Sequence, residues 1–104
     1  MVTKVKEFIK AGNYRMTFHA EIERDADRIS MGEMEEAFGG GKSELIEDYP
    51  EDLRGHSFLL LGFTVNEQPI HAVCSFHENI LVIITVYRPD PDLWMDWRIR
   101  RQKP

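Results

Sequence analysis

The chain has 104 residues, a formal net charge of −5 and one cysteine, Cys74. This length provides for one domain, residues 1–104, which we divide into a core over about 14–97 and a basic tail over 98–104. An acidic chain lacks the excess of Lys and Arg on which strong non-specific nucleic-acid binding depends. One cysteine excludes an internal disulfide and fits a reducing cytoplasm, and every apolar run is too short to cross a membrane.

Apolar residues at helical spacing predict two helices near the start of the chain. The first covers residues 3–11 and ends at Gly12, which tolerates a positive φ. The second covers residues 18–27, with Thr17 as its N-cap. Its apolar stripe, which we expect to be buried, consists of Phe18, Ile22, Ala26 and Ile29.

Two shorter patterns lie beside the second helix. Residues 14–18 are expected to be briefly extended. Ser30 and Glu33 form a capping-box pattern, which predicts a third helix that begins at Met31 and ends at the glycines of residues 39–41.

After residue 43 the pattern changes to β-strands joined by short turns. Four strands are predicted, over residues 44–49, 57–65, 70–76 and 80–88. Gly62 in the second of them is a candidate bulge position. The last strand is apolar on both sides for most of its length and should therefore be central. These elements predict an α+β fold in which helices precede a four-stranded antiparallel sheet and pack on one of its faces.

A polar cluster is expected where the last two strands pair. If they form a hairpin about Asn79, His71 lies opposite Tyr87, and Val73 lies opposite Thr85. The spacing of His71, Cys74 and His77 resembles a metal-ligand pattern, but alternation along a strand places Cys74 on the other face. We therefore expect Cys74 in the core, no metal site and no cofactor.

The C-terminal stretch combines tryptophans with positive charge. Leu93 and Trp97 are four residues apart, which predicts a last helical turn capped by Asp92. The basic residues that follow are Arg98, Arg100, Arg101 and Lys103. They form either a solvated tail whose tryptophans pack on the core or a flexible arm for an anionic partner.

Three further polar residues lie on the second predicted helix or just beyond its end. His19 falls at the rim of the apolar stripe, where a structural role and a catalytic role are both open. Arg24 and Arg28 have acidic neighbours, which favours surface ion pairing over substrate binding.

Four segments together resemble a known family. FHAEIERDADRIS, ELIEDYP, FLLLGFTVNEQPIHAVCS and ITVYRPDPDLW are similar to the bacterial and archaeal domain-of-unknown-function family 4258. That family has been grouped with the barnase–RelE-like fold of metal-independent ribonucleases, and its members are often encoded beside an antitoxin-like protein. The resemblance implies a RelE-like toxin fold, RNA as substrate and an antitoxin-like partner.

The resemblance also implies roles for individual residues. His19 and His71 would be the acid and base of RNA cleavage, Thr85 and Tyr87 would position the reacting groups, and the phosphate would be held by Arg88 with Arg24 and Arg28. The alternative is a non-catalytic module of the same fold that binds a partner protein or itself.

Overall fold

The computed structural model describes residues 1–102, so the expectation for Lys103 lies outside the described residues. It contains three α-helices, α1 (Val2–Lys10), α2 (Phe18–Ala26) and α3 (Met31–Glu35), and α3 continues into one π-helical turn (Glu36–Gly40). The strands are β1 (Tyr14–Met16), β2 (Ser43–Tyr49), β3 (Ser57–Phe63), β4 (Pro69–His77), β5 (Ile80–Tyr87), β6 (Trp94–Met95) and β7 (Ile99–Arg100). No helix within this described part is long and apolar enough to cross a membrane.

The main sheet has five strands in the order β1-β5-β4-β3-β2. Strand β1 pairs in parallel with β5, whereas the other pairs are antiparallel. The prediction of a four-stranded antiparallel sheet was therefore wrong. The short segment after α1 is long enough to pair with the first half of β5, which makes the sheet mixed.

A second correction concerns the C-terminal stretch, where a helical turn was expected. Strands β6 and β7 pair as a small hairpin, residues 94–100, which we call the C-terminal hairpin. Asp96 and Trp97 have φ values of 53° and 60°. These two residues leave the right-handed helical region, so the chain turns back on itself instead of completing a helical turn.

One face of the main sheet carries the hydrophobic core under α1 and the π-helical turn. The core residues that this face contributes are Phe58, Leu60, Ile70, Ala72, Cys74, Leu81, Ile83 and Val86. Gly62 is not a bulge, since it pairs with residues of both neighbouring strands. Its missing side chain instead lets the backbone of Ala37 lie directly on the sheet.

Helix α2 lies along the edge of β5, beyond the point where β1 ends. The Thr17 hydroxyl donates to the carbonyl of Ile84 at 2.9 Å. The Glu23 carboxylate accepts from the backbone N–H of Val86 at 3.2 Å. These side chains take the place of a neighbouring strand by satisfying backbone groups that would otherwise be left unpaired.

The inner side of α2 therefore combines polar groups with the small, fully buried Ala20, and most of the predicted apolar stripe faces solvent. Phe18 is 82% exposed and Ile22 is 53% exposed, whereas Ile29, beyond the helix, is buried. The expectation of a buried stripe was wrong because it assumed packing on a sheet face rather than on a sheet edge.

Candidate functional site

The predicted pairing of the last two strands is confirmed where it matters for the site. His71 lies opposite Tyr87 and Val73 lies opposite Thr85. A bulge then shifts the register by one residue at Ile84. As a result, His71, Thr85 and Tyr87 all face away from the hydrophobic core, towards the C-terminal hairpin.

His71 is enclosed on this second face of the sheet. It has no exposed surface, and the ring of Trp94 meets it edge-on at 4.5 Å between centroids. Its Nε2 lies 2.7 Å from the carbonyl oxygen of Trp97, and its Nδ1 lies 3.1 Å from the hydroxyl of Tyr87. Because a carbonyl only accepts, Nε2 carries a proton. Burial lowers the pKa of His71 and favours the neutral imidazole, in which Nδ1 accepts from the Tyr87 hydroxyl.

Burial sets the titration of this pair. It lowers the pKa of His71, because a charged imidazole would lose its hydration, and it raises the pKa of Tyr87 to about 12. Glu47 and Arg100 are close enough for their charges to shift the pKa of His71 in opposite directions.

Three residues that were not among the predicted site residues complete the site: Glu47, Tyr49 and Arg100, of which only Arg100 was noted, as part of the basic tail. The carboxylate of Glu47 accepts hydrogen bonds from Arg100 at 2.9 and 3.0 Å and from the hydroxyl of Tyr49. Burial alone would raise the pKa of Glu47, but these hydrogen bonds outweigh it and lower the pKa. The Arg100 guanidinium also lies 4.6 Å from the centre of the Trp94 ring.

We call Glu47, Tyr49, His71, Tyr87 and Arg100 the sheet-face cluster. It unites a carboxylate, an imidazole, two phenols and a guanidinium, groups that can accept a proton, donate a proton and bind an anion. The C-terminal hairpin encloses His71 completely, whereas Glu47, Tyr49 and Tyr87 are half-buried and Arg100 is exposed, so the imidazole is the member of the cluster that solvent does not reach in the present conformation.

His19 lies apart from the sheet-face cluster, on α2. Its side chain is 67% exposed, and Nε2 lies 3.3 Å from the carboxylate of Glu23. The structure therefore does not bring the two histidines of the sequence prediction into one enclosed site.

The three predicted substrate-binding arginines lie near the end of α2. Arg88 donates to the carbonyl oxygens of Asp27 and Arg28 and pairs with Glu33 at 3.1 Å. Its backbone N–H also donates to Asp27. These contacts tie the end of β5 to the loop between α2 and α3.

Arg24 is occupied by structural contacts, whereas Arg28 marks a turn. Arg24 donates to the carbonyl of Ile29 at 2.9 Å and pairs with Glu21 at 3.3 Å. Arg28 is exposed and has a φ of 53°, which marks the turn after α2.

Cys74 lies on the opposite face of β4 from His71, within the core. Burial raises its pKa to about 12, so the group is a neutral thiol. Across residues 1–102, no three His, Cys, Asp or Glu side chains are grouped so that they could hold a metal ion.

Fold and site together define a small α+β domain with a polar cluster on the sheet face opposite its core. Residues 16–88 match the family described as Domain of unknown function (DUF4258), and the chain belongs to this family. No curated protein and no solved structure matches the chain. Four members of the cluster lie inside the matched range, whereas Arg100 and the rest of the hairpin lie beyond it.

The enclosed His71 makes stability depend on pH. The unfolded chain titrates near the ordinary value of 6.5, whereas burial lowers the pKa of the folded state. Below about pH 6.5 the unfolded chain therefore binds more protons than the folded protein does. We expect the free energy of unfolding to decrease as the pH is lowered through this range. The measurement is urea denaturation at about pH 7.5 and about pH 5.5, a range above the titration of Glu47.

The matched control for this experiment is His71→Gln, which does not titrate. The part of the pH dependence that belongs to His71 should be missing from this variant. An identical loss of stability in both proteins would assign the effect to other groups.

Proposed function

We propose that this domain is a toxin-like, metal-independent ribonuclease of the cytoplasm, with its active site at the sheet-face cluster. The observation that carries the proposal is the convergence of Glu47, His71 and Arg100 on one face of the sheet. The free thiol of Cys74 is consistent with a reducing compartment.

The three groups supply what cleavage of RNA by its own 2′-hydroxyl requires. Glu47 accepts the proton of the 2′-hydroxyl as the 2′ oxygen attacks phosphorus. His71 donates a proton to the 5′ oxygen as the bond between that oxygen and phosphorus breaks, and Arg100 balances the charge of the phosphate. A phosphate that pairs with Arg100 also releases Glu47 from its ion pair, which frees the carboxylate to act as the base.

This assignment differs from the two-histidine arrangement that the family resemblance implies. His19 is exposed on another element, so we assign the base to Glu47 and use His19 for comparison. Arg100 lies close to His71 and Glu47, whereas the Arg88 guanidinium is bonded to the loop after α2 and to Glu33, so we assign the phosphate to Arg100. Tyr87 keeps its proposed positioning role through its hydrogen bond to His71.

The covered state of the cluster is the inactive state in this proposal. The C-terminal hairpin opens to admit RNA, which exposes His71 to water and returns its pKa towards the ordinary value, so that it can take up the proton it donates. The hairpin then closes on the phosphate, because Arg100 is part of the hairpin and reaches the cluster only in the closed position. Opening limits the rate in this proposal. The consecutive positive φ values of Asp96 and Trp97 hold the hairpin in a strained turn. In a cell, an antitoxin-like partner could act on the same conformational step.

The test is cleavage of RNA by purified protein in EDTA. We expect weak cleavage by the natural sequence and faster cleavage by Trp94→Ala, in which the hairpin is loosened. Adding Glu47→Gln to Trp94→Ala should reduce the rate by about 10²- to 10⁴-fold. Adding His19→Ala instead should leave the rate unchanged.

The outcome that contradicts the proposal is also defined. If the natural sequence and Trp94→Ala are both folded by circular dichroism and neither cleaves RNA, the cluster is not a ribonuclease site. Equal cleavage with and without Glu47→Gln would assign the activity to a contaminant or another site.

The second candidate function is a non-catalytic module that binds a partner protein or a second copy of itself. The observation that favours it is the complete enclosure of His71, whose two nitrogens both have partners within the domain. In that case the cluster stabilises the fold, and neither the natural sequence nor any of the variants above cleaves RNA.

A further inference from the structure

The outer side of α2 carries two apolar side chains that the fold leaves exposed. Phe18 is 82% exposed and Ile22 is 53% exposed. They are four residues apart and therefore neighbours on one side of the helix. The inner side of α2 is fixed by hydrogen bonds from Thr17 and to Glu23, so the helix cannot rotate to bury these side chains.

An acidic row runs beside the apolar one. Glu21 and Asp25 are also four residues apart, and each lies about 60° around the helix from Phe18 or Ile22. The Glu21 side chain is 47% exposed, and Asp25 is exposed. Arg24, on the same helix, donates to the carbonyl of Ile29 and pairs with Glu21. Glu21 therefore shares its charge with Arg24, whereas Asp25 makes no ion pair within the described part of the chain and carries the free negative charge of the row.

We propose that this surface, which we call the α2 outer face, binds an amphipathic helical segment of another protein. The partner segment carries an apolar row that covers Phe18 and Ile22 and a row of Lys or Arg that meets Glu21 and Asp25. Both complementarities follow from the i, i+4 spacing of the two rows, which is the spacing of one side of a helix.

Charge argues against the other occupants. A second copy brings a further net charge of −5, and an antiparallel two-fold pair of α2 helices places both acidic rows on the same side. The acidic row likewise repels RNA and anionic lipid surfaces. Within the chain itself, Arg98 and Arg100 are already paired with Glu44 and Glu47.

The test uses two synthetic helical peptides with the same row of leucines, one with a lysine row and one with a glutamate row. Titration calorimetry should detect binding of the lysine peptide only. Phe18→Ala with Ile22→Ala should weaken this binding by at least about tenfold. Glu21→Lys with Asp25→Lys should abolish it and create binding of the glutamate peptide.

The matched control is Leu53→Ala with Val65→Ala, which removes two exposed apolar side chains elsewhere and should leave binding unchanged. All these positions are exposed, so the variants should fold, which circular dichroism verifies. No binding of the lysine peptide, or equal binding after Phe18→Ala with Ile22→Ala, overturns the proposal. A dimer of the natural protein that dissociates on Phe18→Ala with Ile22→Ala also overturns the proposal, because the occupant of the α2 outer face is then a second copy of the chain. The proposal is independent of RNA cleavage.

Discussion

Gly62→Ala should lower the free energy of unfolding by about 2–3 kcal/mol, although it adds only one methyl group. A Cβ at this position would collide with the backbone of Ala37, lying 2.8 Å from its carbonyl carbon. Backbone cannot rotate away as the end of a side chain can. The π-helical turn is also held from behind, because Gly39 leaves no space between this turn and Ile9 of α1. Urea denaturation followed by tryptophan fluorescence measures the loss.

Gly40→Ala is the matched control, because it makes the same chemical change in the same turn. An added Cβ at Gly40 has open space around it, and no positive φ is required there. This variant should be neutral or more stable by up to about 1 kcal/mol. If the two variants have equal stability, the π-helical turn can move away from the sheet and the proposed tight contact is not rigid.

Local signals in the sequence predicted most elements because each has a local physical cause. The side chain of Thr17 caps α2, and Ser30 with Glu33 forms the capping box of α3. Signals of this kind need only a few neighbouring residues. The two-residue connection between β4 and β5 is also local, and it pairs His77 with Ile80. Continued without interruption, that register would place His71 opposite Val86, so the predicted pairing of His71 with Tyr87 depends on the bulge at Ile84.

The sheet-face cluster could not be predicted from alternation, because two bulges interrupt it. Leu45 pairs with Leu60 on the core face, whereas Glu47, two residues later, pairs with Leu59 on the opposite face. Strict alternation would have placed Leu45 and Glu47 on the same side.

The second bulge, at Ile84, has the same effect on β5. Ile83 faces the core, and Thr85 and Tyr87 face the C-terminal hairpin. Both bulges therefore turn the polar end of a strand towards one face, and together they assemble the cluster. A bulge depends on pairing with distant strands, so no local pattern reveals it.

The apolar stripe of α2 shows a different limit. The spacing of its apolar residues correctly predicted a helix, but this spacing does not indicate which side of the helix faces the protein. The side that faces the protein carries the small Ala20 and two polar groups, because β5 presents unpaired backbone groups at that edge. Phe18 and Ile22 therefore form an exposed apolar surface, which is the reason for the partner proposed for the α2 outer face.

Trp94→Ala should detach the C-terminal hairpin from the sheet while the core remains folded. Trp94 is only 4% exposed and is the main apolar contact of the hairpin. The other attachments of the hairpin are ion pairs at the surface and the hydrogen bond from His71 to the carbonyl of Trp97. Truncating a buried tryptophan costs about 3–5 kcal/mol. Detachment makes the bonds after Arg98 and Arg100 accessible, so trypsin should cut there about 10²-fold faster.

The matched control is Met95→Ala, in the same strand but 47% exposed, which should change the cleavage rate little. An unchanged rate in Trp94→Ala would show that the ion pairs and the His71–Trp97 hydrogen bond hold the hairpin without Trp94. Detachment has one further consequence that NMR titration can measure. Because burial is what lowers the pKa of His71, that pKa should rise towards 6.5 in Trp94→Ala and stay low in Met95→Ala. This comparison links the position of the hairpin to the protonation of His71 without any assumption about RNA.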